Sequence, residues 1–85
     1  MTMQLTNAAW DRFFDMIGPA GCQEFGIALS MFDGRDDLLL GWVNQRWHGD
    51  ALVAFHTARM TEAEEHGDIN RYANAQDHLA ALRTS

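Results

Sequence analysis

The chain of 85 residues has no lysine, one cysteine, one proline, valine only at 43 and 53, and isoleucine only at 17, 27 and 69. Each scarcity excludes something. With Cys22 alone there is neither an internal disulfide nor a zinc–cysteine cluster. So few β-branched residues, and no sustained alternation of apolar and polar positions, exclude a sheet-rich fold. The longest apolar run, Leu38 to Val43, is six residues long and is interrupted by Gly41, whereas a membrane span needs about 20. Met1 to Trp10 holds no Lys or Arg and no long apolar stretch, so no secretory signal is expected and the chain reads as cytoplasmic. The basic residues are all arginines, at 12, 35, 46, 59, 71 and 83. A GC-rich genome explains this more simply than a need for forked ion pairs.

What the chain does contain is apolar and acidic. Hydrophobic residues make up 47 %, enough for a packed core, and the length fits a single domain over 1–85. Six basic against twelve acidic residues give a net charge of −6. That balance disfavours nucleic acid and anionic membrane as partners and suits a protein with a basic surface.

Helical spacing predicts a compact all-α bundle of four to five short helices. Trp10, Phe13, Phe14 and Ile17 share a face of a first helix over 7–17, which Gly18-Pro19 ends. Cys22, Phe25, Leu29 and Phe32 make the seam of a second, over 20–32, closed by Asp33-Gly34. Asp36 caps a third, running to His48, with Leu39, Trp42, Val43 and Trp47 on one face and Leu38 and Leu40 widening it. This helix is the expected centre of the core. His48-Gly49-Asp50 and His66-Gly67-Asp68 are the same triplet, read each time as a histidine at a helix end, a left-handed glycine and a capping aspartate. They bracket a helix over 51–65, with Leu52, Phe55 or His56, the Arg59 stem and Ala63 inward; Thr61 and Glu64 would permit a break near Met60, but good propensity favours continuity. A last helix, over 69–83, has Ile69, Tyr72, Ala73, Gln76, Leu79, Ala80 and Leu82 as its inner stripe.

No catalytic, cofactor or metal signature stands out. His48, His56, His66 and His78 lack the spacing of a zinc or di-iron site, and His48 and His66 read as helix ends and His78 as surface. Cys22 sits in an apolar seam, where a cysteine acts as a small hydrophobe. No phosphate loop is formed by the glycines. Asn44, Gln45 and Arg46 in a row are base-reading residue types, but a helix rich in Leu and Trp with Asp36 and Asp37 at its start lacks the basic face a recognition helix needs. Trp47-His48-Gly49, with Ala51 and Phe55, resembles the turn of the Trp-x-Gly family of secreted helical hairpins. That resemblance implies one long first arm, which Gly18-Pro19, Gly21 and Asp33-Gly34 interrupt here, and an acidic residue four after Tyr72, where this chain has Gln76.

Acidic residues gather in two places: Asp33, Asp36 and Asp37, and then Glu62, Glu64, Glu65 and Asp68. Acids at helix starts are favoured by the dipole; the second group lies at a helix end, where they are not. These seven are the candidate partner-binding residues of a small acidic interaction or regulatory module without catalysis. A homodimer stays open. Small acidic phage proteins that block nucleic-acid machines, anti-CRISPR proteins among them, are similar in size and charge, so an inhibitor covering a basic host surface is the alternative. A helical DNA-binding regulator is a second alternative.

Overall fold

In a straight helix, residues 13 and 25 would stand about 18 Å apart along the axis at ~1.5 Å per residue. Here the Phe13 and Phe25 rings are 5.3 Å apart. The cause is a bend at Gly18, whose backbone (φ 73°, ψ 179°) lies in a region essentially reserved for glycine. In the computed structural model, which describes residues 8–84, α1 (Ala8–Met31) is therefore one element with two arms that turn back on each other. The two helices expected over 7–17 and 20–32 are these arms; residue 7 lies outside the described residues. Pro19 follows the bend, where its missing N–H and fixed φ suit the start of the second arm. Gly21 lets the bend close: a Cβ there would stand 2.7 Å from the Ile17 Cβ.

Three further helices follow: α2 (Asp36–Arg46), α3 (Asp50–His66) and α4 (Ile69–Thr84). The described residues form no strand. The core is an aromatic cluster. Phe55 of α3 meets Trp10 at 5.6 Å, Phe13 at 5.2 Å and Phe25 at 5.9 Å between ring centroids, so one side chain engages both arms of α1. Trp47 closes the cluster edge-on to Phe13 at 5.6 Å. The seams expected in the two arms hold: Trp10, Phe13 and Phe25 are buried, and Phe14, Ile17, Leu29 and Phe32 pack against them.

Four expectations need correction. The centre of the core is α3, with eight buried residues, and not α2, with Leu39, Leu40 and Val43. A helix with apolar residues nearly all round its surface cannot bury them all from one side, and Leu38 stays 45 % exposed. Second, α2 ends at Arg46, so Trp47 reaches the core from extended backbone (φ −126°, ψ 161°). Third, the two triplets differ. Gly67 is left-handed and closes α3 in a Schellman pattern, with Asp68 N–H donating to Ala63 O (2.8 Å) and Gly67 N–H to Glu64 O (3.2 Å). Gly49 (φ 62°, ψ −130°) instead precedes α3, Val53 N–H donating to its carbonyl at 3.1 Å, so Asp50 is the first helical residue and not the cap. Fourth, the inner face of α4 is rotated. Ala75 and Leu79 are buried, with Arg71, Tyr72, His78 and Leu82 partly so, while Ile69, Ala73, Gln76 and Ala80 are exposed. Polar partners set this register, as described next. α3 itself is continuous, Thr61 Oγ1 donating to Thr57 O at 3.0 Å within it.

Candidate docking site at the turn between α3 and α4

Asp68 begins α4 as its cap, its Oδ1 accepting from Arg71 N–H at 3.1 Å. That fixes the first helical residue, Ile69, on the outside, where it is 81 % exposed, the highest among the large hydrophobic side chains of the described residues. Beside it Ala63, Glu64, Gly67, Asp68, Ile69 and Tyr72 enclose an open, mostly apolar notch of about 240 Å³. Glu64 and Glu65 are exposed at the same turn.

The seven predicted acidic residues divide by environment. Asp33 and Asp37 are exposed, like Glu64 and Glu65. Asp36 and Asp68 are half-buried and share one cation: Arg71 Nη2 lies 2.5 Å from Asp36 Oδ2, and Arg71 Nε 3.5 Å from Asp68 Oδ2. The two acidic groups, separate in sequence, are thus joined across α2 and α4. Glu62 leaves the surface altogether. It is 5 % exposed and its Oε2 accepts from Trp10 Nε1–H at 3.0 Å, so it belongs to the core and cannot touch a partner.

A buried polar layer lies behind the turn, between α3 and its neighbours α2 and α4. Arg59 donates from Nη1 to His56 Nδ1 (2.9 Å) and from Nη2 to Asn74 Oδ1 (2.7 Å). His56, 1 % exposed, meets Asn44 Oδ1 through Nε2 at 3.2 Å, and its ring stacks on His78 at 4.5 Å and 11°. Burial, then the charge of Arg59, then His78 hold His56 down to about 3. The same causes, burial first and Arg59 second, lower His78 against the pull of Asp77. Burial lowers Arg59 to about 10, with Asp36 and Glu62 favouring its charge and Arg71 opposing it, so it stays a cation at neutral pH.

Periodicity of apolar residues had no means of finding this layer. The available signal was the pair His56 and Arg59, three apart on the inward face of α3. His78, expected at the surface, is half-buried in the layer, and Asn44 turns inward to His56 and away from its neighbours Gln45 and Arg46, which are exposed. Arg46 bonds Glu24 at 2.7 Å and lies over the Trp47 ring. Cys22 is half-buried, its Sγ 3.6 Å from Phe14 O. Among the described residues no three His, Cys, Asp or Glu side chains are grouped to hold a metal, and no helix is long and apolar enough to cross a membrane. A hollow of about 460 Å³ between the start of α1 and α3 carries one charge of each sign, Arg12 and Asp50, and singles out no ligand chemistry. No protein-family model, curated protein or solved structure matches the chain.

Proposed function

We propose that the protein is a protein-binding module, without catalysis, that docks through the turn between α3 and α4. The observation that carries this reading is Ile69, held 81 % exposed at the lip of a notch rimmed by Glu64 and Asp68. Covering an isoleucine is worth about 1.5–3 kcal/mol, enough to anchor a contact whose rim is polar. The negative rim selects the partner: a protein presenting an apolar side chain beside Arg or Lys. Of the seven acidic residues, Glu64 and Asp68 line the notch and Glu65 is exposed at the same turn; Asp36 is tied to Asp68 by Arg71, and Asp33 and Asp37 are exposed near the start of α2.

The inhibitor reading draws on the acids near α2 as well. An acidic surface running from α2 to the α3–α4 turn suits a groove that normally holds a phosphate backbone. The apolar anchor favours the plainer module, because phosphate mimicry has no use for an exposed isoleucine. A capture experiment from host lysate at low and high salt separates them. Partners kept at both salts but lost with Ile69→Ser support the anchored module. Partners released by salt and indifferent to Ile69→Ser support the inhibitor. Duplex DNA bound by the purified protein at physiological salt would overturn both.

A further inference from the structure

α4 lies along α3 in the most extensive helix pairing of the described residues, yet few of the side chains it buries there are apolar. Its buried apolar residues are Ala75 and Leu79, with Leu82 packed partly against the core. The other attachments are Arg59 to Asn74, His56 on His78, and Arg71 to Asp36. Much of what fixes α4 on its neighbours is therefore a set of polar contacts whose strength depends on protonation.

The protons in the layer are fixed by its geometry. Arginine only donates, so His56 Nδ1 must accept from Arg59, which leaves the ring proton on Nε2, donated to Asn44. A second proton has one place to go, Nδ1, where it meets a guanidinium 2.9 Å away and no acceptor. The stacked His78 ring offers no relief, because it would itself become a cation.

We propose that this layer is an acid-operated latch: protonation of the stacked pair His56 and His78 releases α4 from α2 and α3 while α1 and α3 keep the aromatic core. The groups facing the pair come from every side. α3 contributes Arg59, α2 contributes Asn44 and α4 contributes Asp77, while Asp36, Glu62, Arg71 and Asn74 act on Arg59. In acid the balance turns positive. The two histidines join the cations Arg59 and Arg71. Burial keeps His56 neutral in the closed form to about 3, whereas a histidine freed by release takes its proton near 6.5. Each pH unit below about 6.5 therefore multiplies the released fraction about tenfold through His56 alone, and more with His78. This latch does not depend on what binds at the turn.

The test is hydrogen exchange of the full chain from pH 7 to pH 4.5, with rates corrected for the intrinsic pH dependence of exchange. Peptides from 69–84 should lose protection tenfold or more per pH unit below about 6.5, while those from 8–31 and from the middle of α3 stay protected. His56→Gln accepts from Arg59 and donates to Asn44 without titrating, and should flatten the α4 profile. His78→Phe keeps the stacked ring without its charge, and should make the profile shallower. Loss of protection everywhere at once, or an α4 profile flat across the range, would overturn the latch. So would a wild-type slope retained in both variants, or in His78→Phe alone should His56→Gln not fold.

Discussion

Gly67 and Gly41 differ in the hand of their backbone conformation, and that difference fixes the sign of the same substitution. Gly67 is left-handed (φ 67°) at the end of α3, so Gly67→Ala should cost about 1 kcal/mol. Gly41 is exposed inside α2, with nothing within 4 Å of the place an added methyl would take, so Gly41→Ala should stabilise by roughly 0.5–1 kcal/mol. Urea denaturation of both variants checks the pair, and a common sign would contradict the placement of one of them. Gly18→Ala should cost more, about 1–3 kcal/mol, because no side chain relieves a backbone at φ 73°, ψ 179°. Glu62 is the residue whose role the sequence disguised. Its neighbours Glu64 and Glu65 are solvent-facing, yet its own carboxylate satisfies the Trp10 indole, 52 residues away. Glu62→Leu leaves that N–H buried without an acceptor and should cost about 1–3 kcal/mol, whereas a surface acid would change stability by less than about 0.5 kcal/mol.

At the scale of elements, the aromatic centre makes α3 the helix on which the others depend. Phe55→Ala should cost about 3–5 kcal/mol. Trp42→Ala should cost less, since Trp42 packs only partly against the core; equal losses would restore α2 as the centre. The helical segments themselves were legible because their stops are local. Gly18-Pro19, Asp33-Gly34 and the two His-Gly-Asp triplets punctuate the chain at the observed bends and turns. The register of α4 was not legible, because its inner face is chosen by Arg71, Asn74 and His78, whose partners lie on α2 and α3. An apolar pattern placed Ile69 inside; the cap at Asp68 and the polar contacts rotate it out. Of the candidate site, the exposed acids were visible and the notch was not, since it needs both helices. The polar layer also sets the pH dependence of stability. His56 is lowered in the folded chain to about 3 from an ordinary value near 6.5. The unfolded chain thus binds more protons between those values. Stability is full above about pH 6.5 and falls as pH drops toward 3, by about 1.4 kcal/mol per unit from His56. Urea midpoints at pH 7 and pH 5 should show this loss, and His56→Gln should reduce it.

For the molecule as a whole, the proposed docking mode divides recognition between net charge and one apolar tip. Reversing Glu64 and Glu65 to lysine should slow association with a basic partner and weaken its salt dependence, with little change in unfolding, because rim charges act mainly on the approach. Ile69→Ser should instead raise the dissociation rate; surface kinetics at two ionic strengths read both. Arg71 adds a property that neither acidic group has alone. Asp36 and Asp68 both grip it, from different helices. If Asp36→Asn removes one grip, the guanidinium can settle on the other, and the same holds for Asp68→Asn. Each single change should therefore cost little, within the ~0.2–1 kcal/mol of a partly exposed pair, while the double change removes both carboxylates from the cation and costs more than the two together. The charge of Arg71 is thus buffered against single mutations, although only Asp36 ties it to α2, and a double-mutant cycle would reveal the redundancy that either mutation alone conceals.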